Sequence, residues 1–86
     1  MVFPITIETF RALRFRVVAF GDEVGAHWNR MTCDIDGLSK YNSYTIRNGE
    51  FGKKRTHYYY NGRVYFDKPN QIRELIKRIN ERNGTN

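Results

Sequence analysis

Eighty-six residues, 40% hydrophobic and 15% aromatic, suffice for one thin core and make a single domain, 1–86, rather than two or a disordered tail. The net charge of +6 points to a polyanionic partner, and one cysteine, Cys33, excludes an internal disulfide and fits a reducing, cytoplasmic setting. No apolar run approaches the roughly 20 residues of a membrane span, and Met1-Val-Phe-Pro-Ile5 lacks the basic start and apolar core of a signal peptide.

In chain order, Thr6 is a cap residue for a short helix or arm over 4–11, with Ile7, Phe10 and Leu13 as its apolar positions. The alternation of Leu13–Phe20, with Val17 and Val18, predicts a strand over 13–20, and Gly21–Gly25 predicts a loop. A meander follows. Ala26–Ile35 and Leu38–Arg47 read as strands joined at Asp36-Gly37. Asn48-Gly49 and Asn61-Gly62 are two further two-residue turn signals, bounding strands at Glu50–Tyr60 and Arg63–Phe66. Alternation conflicts within Glu50–Tyr60, since facing Phe51 and Tyr59 to the core would also send Lys53 and Arg55 there. Gly52 predicts either a bulge or a break over Gly52–Lys54. Residues 68–83 predict a helix capped by Asp67, with Pro69 in its first turn. Ile72, Leu75, Ile76 and Ile79 form one apolar stripe on it, and Gly84 stops it. The expected fold is α+β: a four-stranded antiparallel meander plus an N-terminal strand, packed on one C-terminal helix in two layers.

The hairpin Arg55–Phe66 is the most informative stretch. A type I′ turn at Asn61-Gly62 sets Tyr60 opposite Arg63, Tyr59 opposite Val64, Tyr58 opposite Tyr65 and His57 opposite Phe66. Two faces follow. Tyr59, Val64, Phe66 and His57 read as the core face that receives the helix. Thr56, Tyr58, Tyr60, Arg63 and Tyr65 read as the solvent face. Charge reinforces the second assignment. Residues 45–86 hold ten Lys/Arg against four Asp/Glu, so the whole excess of +6 lies in the half that carries the hairpin. Tyr58, Tyr60 and Tyr65 would then stack unpaired bases, while Arg63, Lys53, Lys54 and Arg55 would meet phosphates. The expected function is nucleic-acid binding, with RNA or single strands favoured.

The same tyrosine and arginine surface also suits a protein partner, in the manner of small inhibitors from viruses or mobile elements that bind a host enzyme. Catalysis is the minority reading: His57 near Lys53, Arg55 and Tyr58 would have to serve a metal-independent ribonuclease as general base. No cofactor or metal is implied. His27, Cys33 and His57 lack ligand spacing, and Thr45 stands where a calcium loop opened by Asp34 and Asp36 would need its closing glutamate. Cys33 among apolar neighbours reads as a small core residue. Asn83-Gly84-Thr85 matches a glycosylation acceptor but carries no weight without a secretion signal.

Overall fold

A computed structural model describes residues 4–84; the first three residues, and Thr85 of the Asn83-Gly84-Thr85 triplet, lie outside it. In chain order the elements are α1 (Ile7–Arg11), β1 (Arg16–Glu23), β2 (Ala26–Thr32), β3 (Leu38–Arg47), β4 (Glu50–Phe51), β5 (Arg55–Tyr60), β6 (Arg63–Phe66) and α2 (Pro69–Arg82). The architecture is α+β, as expected, with six strands rather than five. All strands pair antiparallel in one open sheet of order β1-β2-β3-β5-β6, and β4 pairs only with β3.

The Asn-Gly turns do what their chemistry predicts. Asn48 and Gly49 have φ of 54° and 77°, and Asn61 and Gly62 have 50° and 78°, the paired left-handed positions of a type I′ turn. The third signal, Asp36-Gly37, is not a two-residue hairpin. β2 ends at Thr32, and Leu38 N–H closes a turn on the Ile35 carbonyl at 3.3 Å. β1 lies further along the chain than expected, running to Glu23 and absorbing most of the predicted loop. Glu50–Tyr60 is broken at residues 52–54, the second of the two outcomes expected of Gly52, whose N–H bonds the Thr45 carbonyl at 2.7 Å. That break leaves β4 as the extra strand.

Thr6 caps α1 as predicted, with Thr9 completing a reciprocal capping box. Asp67 does not cap α2. Lys68 is the N-cap and makes no side-chain cap bond, while Asp67 accepts from Arg11 Nη1 at 2.9 Å. The acid is taken by a long-range ion pair that ties the two ends of the chain together.

Ile72, Leu75, Ile76 and Ile79 are buried, and they pack with Phe10, Leu38, Tyr58, Tyr60 and Tyr65. Asn80, also buried, clamps the N-terminal arm from both sides: its Oδ1 accepts from Ile5 N–H at 2.8 Å and its Nδ2 donates to Ile5 O at 3.0 Å. The helix therefore lies on the Tyr58/Tyr60/Tyr65 side of the hairpin, not on the Val64/Phe66 side. At 14 residues it spans about 21 Å, in a molecule 50 Å long. One sheet face is partly covered by α1 and α2. No helix among the described residues lies on the other.

Candidate functional site

The predicted hairpin register is present pair for pair, from Tyr60 opposite Arg63 to His57 opposite Phe66. The two faces are exchanged. Tyr58, Tyr60 and Tyr65 are 3%, 1% and 2% exposed, so they form no stacking platform. Phe10 meets the Tyr58 ring edge-on at 5.3 Å, the Arg82 guanidinium lies 5.8 Å over Tyr60, and that of Arg63 lies 5.5 Å over Tyr65. Burial pushes the Tyr58 hydroxyl pKa upward, with the Asp67 carboxylate adding to it. These rings are core, and Arg63 packs on one of them instead of standing with the other predicted cations.

The residues expected in the core are the exposed ones: Tyr59 at 43%, Val64 at 46% and Phe66 at 54%. Register carries their face across the whole sheet. Ala19 pairs with Arg30, Arg30 with Tyr41, Tyr41 with His57, and His57 with Phe66. Directly paired residues share a face, so Arg30, Tyr41, His57 and Phe66 form one row over four strands. A second row runs Thr32, Ser39, Tyr59, Val64, and a third runs Trp28, Ser43, Arg55. Within the first row, Tyr41 and His57 stack with centroids 5.1 Å apart and planes 4° from parallel, and His57 meets Phe66 edge-on at 6.5 Å. The Tyr41 and His57 rings are therefore parallel and offset, not edge to edge. Burial in this pile holds the His57 imidazole below its ordinary pKa, which keeps it neutral at neutral pH. Trp28 lies against β1 opposite Gly21, where any Cβ would overlap the indole; a backbone without a side chain is what lets the ring sit down on the sheet.

The chain break after β4 positions the charges. Lys53, Lys54 and Arg55 line a groove of about 720 Å³ together with Lys68, His57 and Phe66. Three of the predicted phosphate-binding residues thus meet two aromatics of the open face and a fourth cation. Asp67 also borders the groove, but its carboxylate is held by Arg11, which leaves the groove strongly positive.

No family model, curated protein or solved structure matches the chain. Geometry and side-chain chemistry are therefore the only guides to what it does. Trp28, Arg30, Tyr41 and Phe66 do not stand out from sequence as binding residues. Their signal is present in the i, i+2 spacing of Trp28 and Arg30 and in the aromatic content of β3, but reading it requires the register between β2, β3 and β5.

The remaining chemistry-bearing groups do not add to this site. His27 Nδ1 bonds the Asp22 carboxylate, and its ring contacts Tyr44 and Phe51 at the far end of the sheet. Cys33 is buried, and that burial raises its thiol pKa, so it is a core residue with little thiolate character. Among the described residues no group of three or more His, Cys, Asp or Glu is placed to hold a metal ion, and no helix is long and apolar enough to cross a membrane.

Proposed function

We propose that this protein binds single-stranded nucleic acid, RNA in particular, across its open sheet face. The observation that carries the reading is the junction of that face with the groove. A row of aromatic rings continues without interruption into a cluster of four cations, Lys53, Lys54, Arg55 and Lys68. Unpaired bases have exposed π-faces and gain about 1–3 kcal/mol each by stacking on such rings. Phe66, Tyr59 and Trp28 offer rings to the bases, and the Tyr41–His57 pile offers an end on which a further ring can stack. The groove takes the backbone phosphates. Duplex DNA hides its base faces, so duplexes should bind more weakly and through charge alone.

In this reading the chain is a binding module, with His57 used for ring stacking on Tyr41 rather than for proton transfer. The alternative partner is a host protein or nucleoprotein enzyme that docks on the same aromatic and basic face, where Trp, Tyr and Arg are the usual anchors of protein interfaces.

Trp28 is the sole tryptophan, and it lies on the proposed binding face. Its fluorescence therefore reports binding directly. Titration with single-stranded RNA, single-stranded DNA and duplex DNA over a salt series should quench or shift Trp28 emission for the single strands. Their log affinity should fall with log salt at about −0.7 per phosphate neutralised. Absence of binding, or an affinity indifferent to salt, sinks the nucleic-acid reading. Capture of a protein from host lysate that survives nuclease treatment would then favour the docking alternative.

A further inference from the structure

The two edges of the sheet are unlike. β6 offers four residues and then turns through Asp67-Lys68-Pro69 into α2. A short edge followed by proline is a protected edge. β1 offers eight residues, and its outer side carries no neighbouring strand among the described residues. Along it Val17, Val18 and Phe20 are 57%, 46% and 76% exposed. An edge this long, with apolar side chains and unpaired backbone groups, is a template for another strand.

The charge pattern of β1 says which strand. Its sequence is Arg16-Val-Val-Ala-Phe-Gly-Asp-Glu23, basic at the start, apolar in the middle and acidic at the end, with Arg14 just upstream. Parallel pairing of two copies would set Arg16 beside Arg16 and acid beside acid. Antiparallel pairing sets Arg16 of each copy toward Glu23 of the other, which shares its face of the sheet, at both ends, with the apolar residues meeting between them. Opposite charges across a strand pair stabilise it and like charges destabilise it. The pattern is self-complementary in the antiparallel sense alone.

We propose that β1 is a dimerisation edge, pairing antiparallel with β1 of a second copy about a two-fold axis normal to the sheet. Such an interface uses the same strand from both copies and closes, so it yields a dimer and not a filament. The bulge between Val17 and Ala19 adds local twist, and a single strand pair is small beside the ~1,200–2,000 Å² of stable interfaces. Association is therefore reversible and concentration-dependent. Rotation about an axis normal to the sheet keeps each face on its own side. The two open faces then lie side by side on one continuous sheet, and the platform for a long single strand doubles. The dimer does not rest on the nucleic-acid reading, and its test needs no nucleic acid.

Charge exchange tests it. Sedimentation equilibrium of the unaltered protein should show a monomer–dimer equilibrium. Arg16→Glu alone and Glu23→Arg alone each place like charges at both ends of the pair, and each should raise the dimer dissociation constant about tenfold or more. An equimolar mixture of the two variants restores opposite charges at both ends and should recover dimer. Circular dichroism checks that both variants fold; their substituted side chains are exposed. A protein that stays monomeric up to millimolar concentration leaves the edge to a strand of some other protein and overturns the proposal. So does a dimer that neither charge variant weakens, or a mixture no more dimeric than its components.

Discussion

Exchange of the hairpin faces makes opposite demands on two aromatic residues six positions apart, Tyr60 and Phe66. Tyr60 is 1% exposed, beneath α2 and the Arg82 guanidinium, and is paired in register with buried Leu38. Truncation to alanine empties the space of a whole ring in a core with little room to collapse, at a cost of about 3–5 kcal/mol. A domain of this size has a total stability near the lower end of about 5–15 kcal/mol, so Tyr60→Ala should leave much of the protein unfolded at 25 °C. Phe66 is 54% exposed and meets the His57 ring edge-on. Fully burying such a side chain gains about 1.5–3 kcal/mol, so loss of its half-buried ring should cost stability about 1 kcal/mol. Its loss from the binding face should cost about 1–3 kcal/mol of affinity for single strands, roughly 5- to 150-fold. Urea titration and Trp28 fluorescence titration on the same samples measure both quantities. The reverse pattern, with Tyr60→Ala stable but poor at binding and Phe66→Ala unfolded, would refute the face assignment and the site with it.

Replacing Lys53 and Lys54 with alanine should lower the salt slope by about 0.7 for each phosphate left unneutralised while urea midpoints stay unchanged, since both side chains are exposed. The Tyr65 hydroxyl is buried with no hydrogen-bond partner among the described residues; Tyr65→Phe should be neutral or stabilising by about 1 kcal/mol, visible as a melting temperature raised by about 4–8 °C, and a drop of that size would place a partner on the hydroxyl. Gly21→Ala forces the Trp28 indole off β1 and should cost about 1–3 kcal/mol by overpacking, with a shift in Trp28 emission that a neutral, accommodated methyl would not produce. His57, its folded pKa depressed by burial below 6.5, predicts opposite pH trends: as pH falls below about 6.5 the unfolded chain takes up the proton first, so stability of the free protein declines toward the lower folded pKa. Affinity for a phosphate chain beside His57 should rise over the same window; an affinity flat in pH there would place the strand away from His57.

Much of the fold was legible because glycine and helical periodicity are local signals. Asn48-Gly49, Asn61-Gly62, the Thr6 cap and the Ile72–Ile79 stripe each reflect a conformation that few other residues adopt, and each stands where the sequence placed it. Asp67 shows the limit of such signals. A good cap residue at the right position was claimed instead by Arg11, 56 residues away in the chain, and no local pattern contains that competition. The predicted site divides in the same way. Lys53, Lys54 and Arg55 come together because they share one short break, whereas Tyr58, Tyr60 and Tyr65 share a face but not the face supposed.

The face was lost through a single residue. Both sides of the hairpin are aromatic, so composition does not choose between them; the choice belongs to whichever side pairs with the apolar start of β3. Carrying the register of the Asn48-Gly49 turn straight back along β3, from Arg47 opposite Glu50 and Ile46 opposite Phe51, would bring Leu38 opposite Tyr59. The structure pairs Leu38 with Tyr60. One residue is gained on the β5 side across the break at 52–54, where Gly52 closes against Thr45 too tightly for any side chain. A one-residue slip sends every side chain beyond it to the opposite face, and Leu38, at 1% exposure, then takes Tyr60 and Tyr58 into the core with it. The same slip turns His57 toward Tyr41 and Arg55 toward Ser43, which assembles the open aromatic row and delivers the Lys53–Arg55 cations to its margin. A glycine that looks like a defect in the strand pattern is therefore what sets core and binding face apart. Gly52→Ala should disturb both together: reduced stability and reduced affinity in one variant, where Phe66→Ala and Tyr60→Ala separate the two.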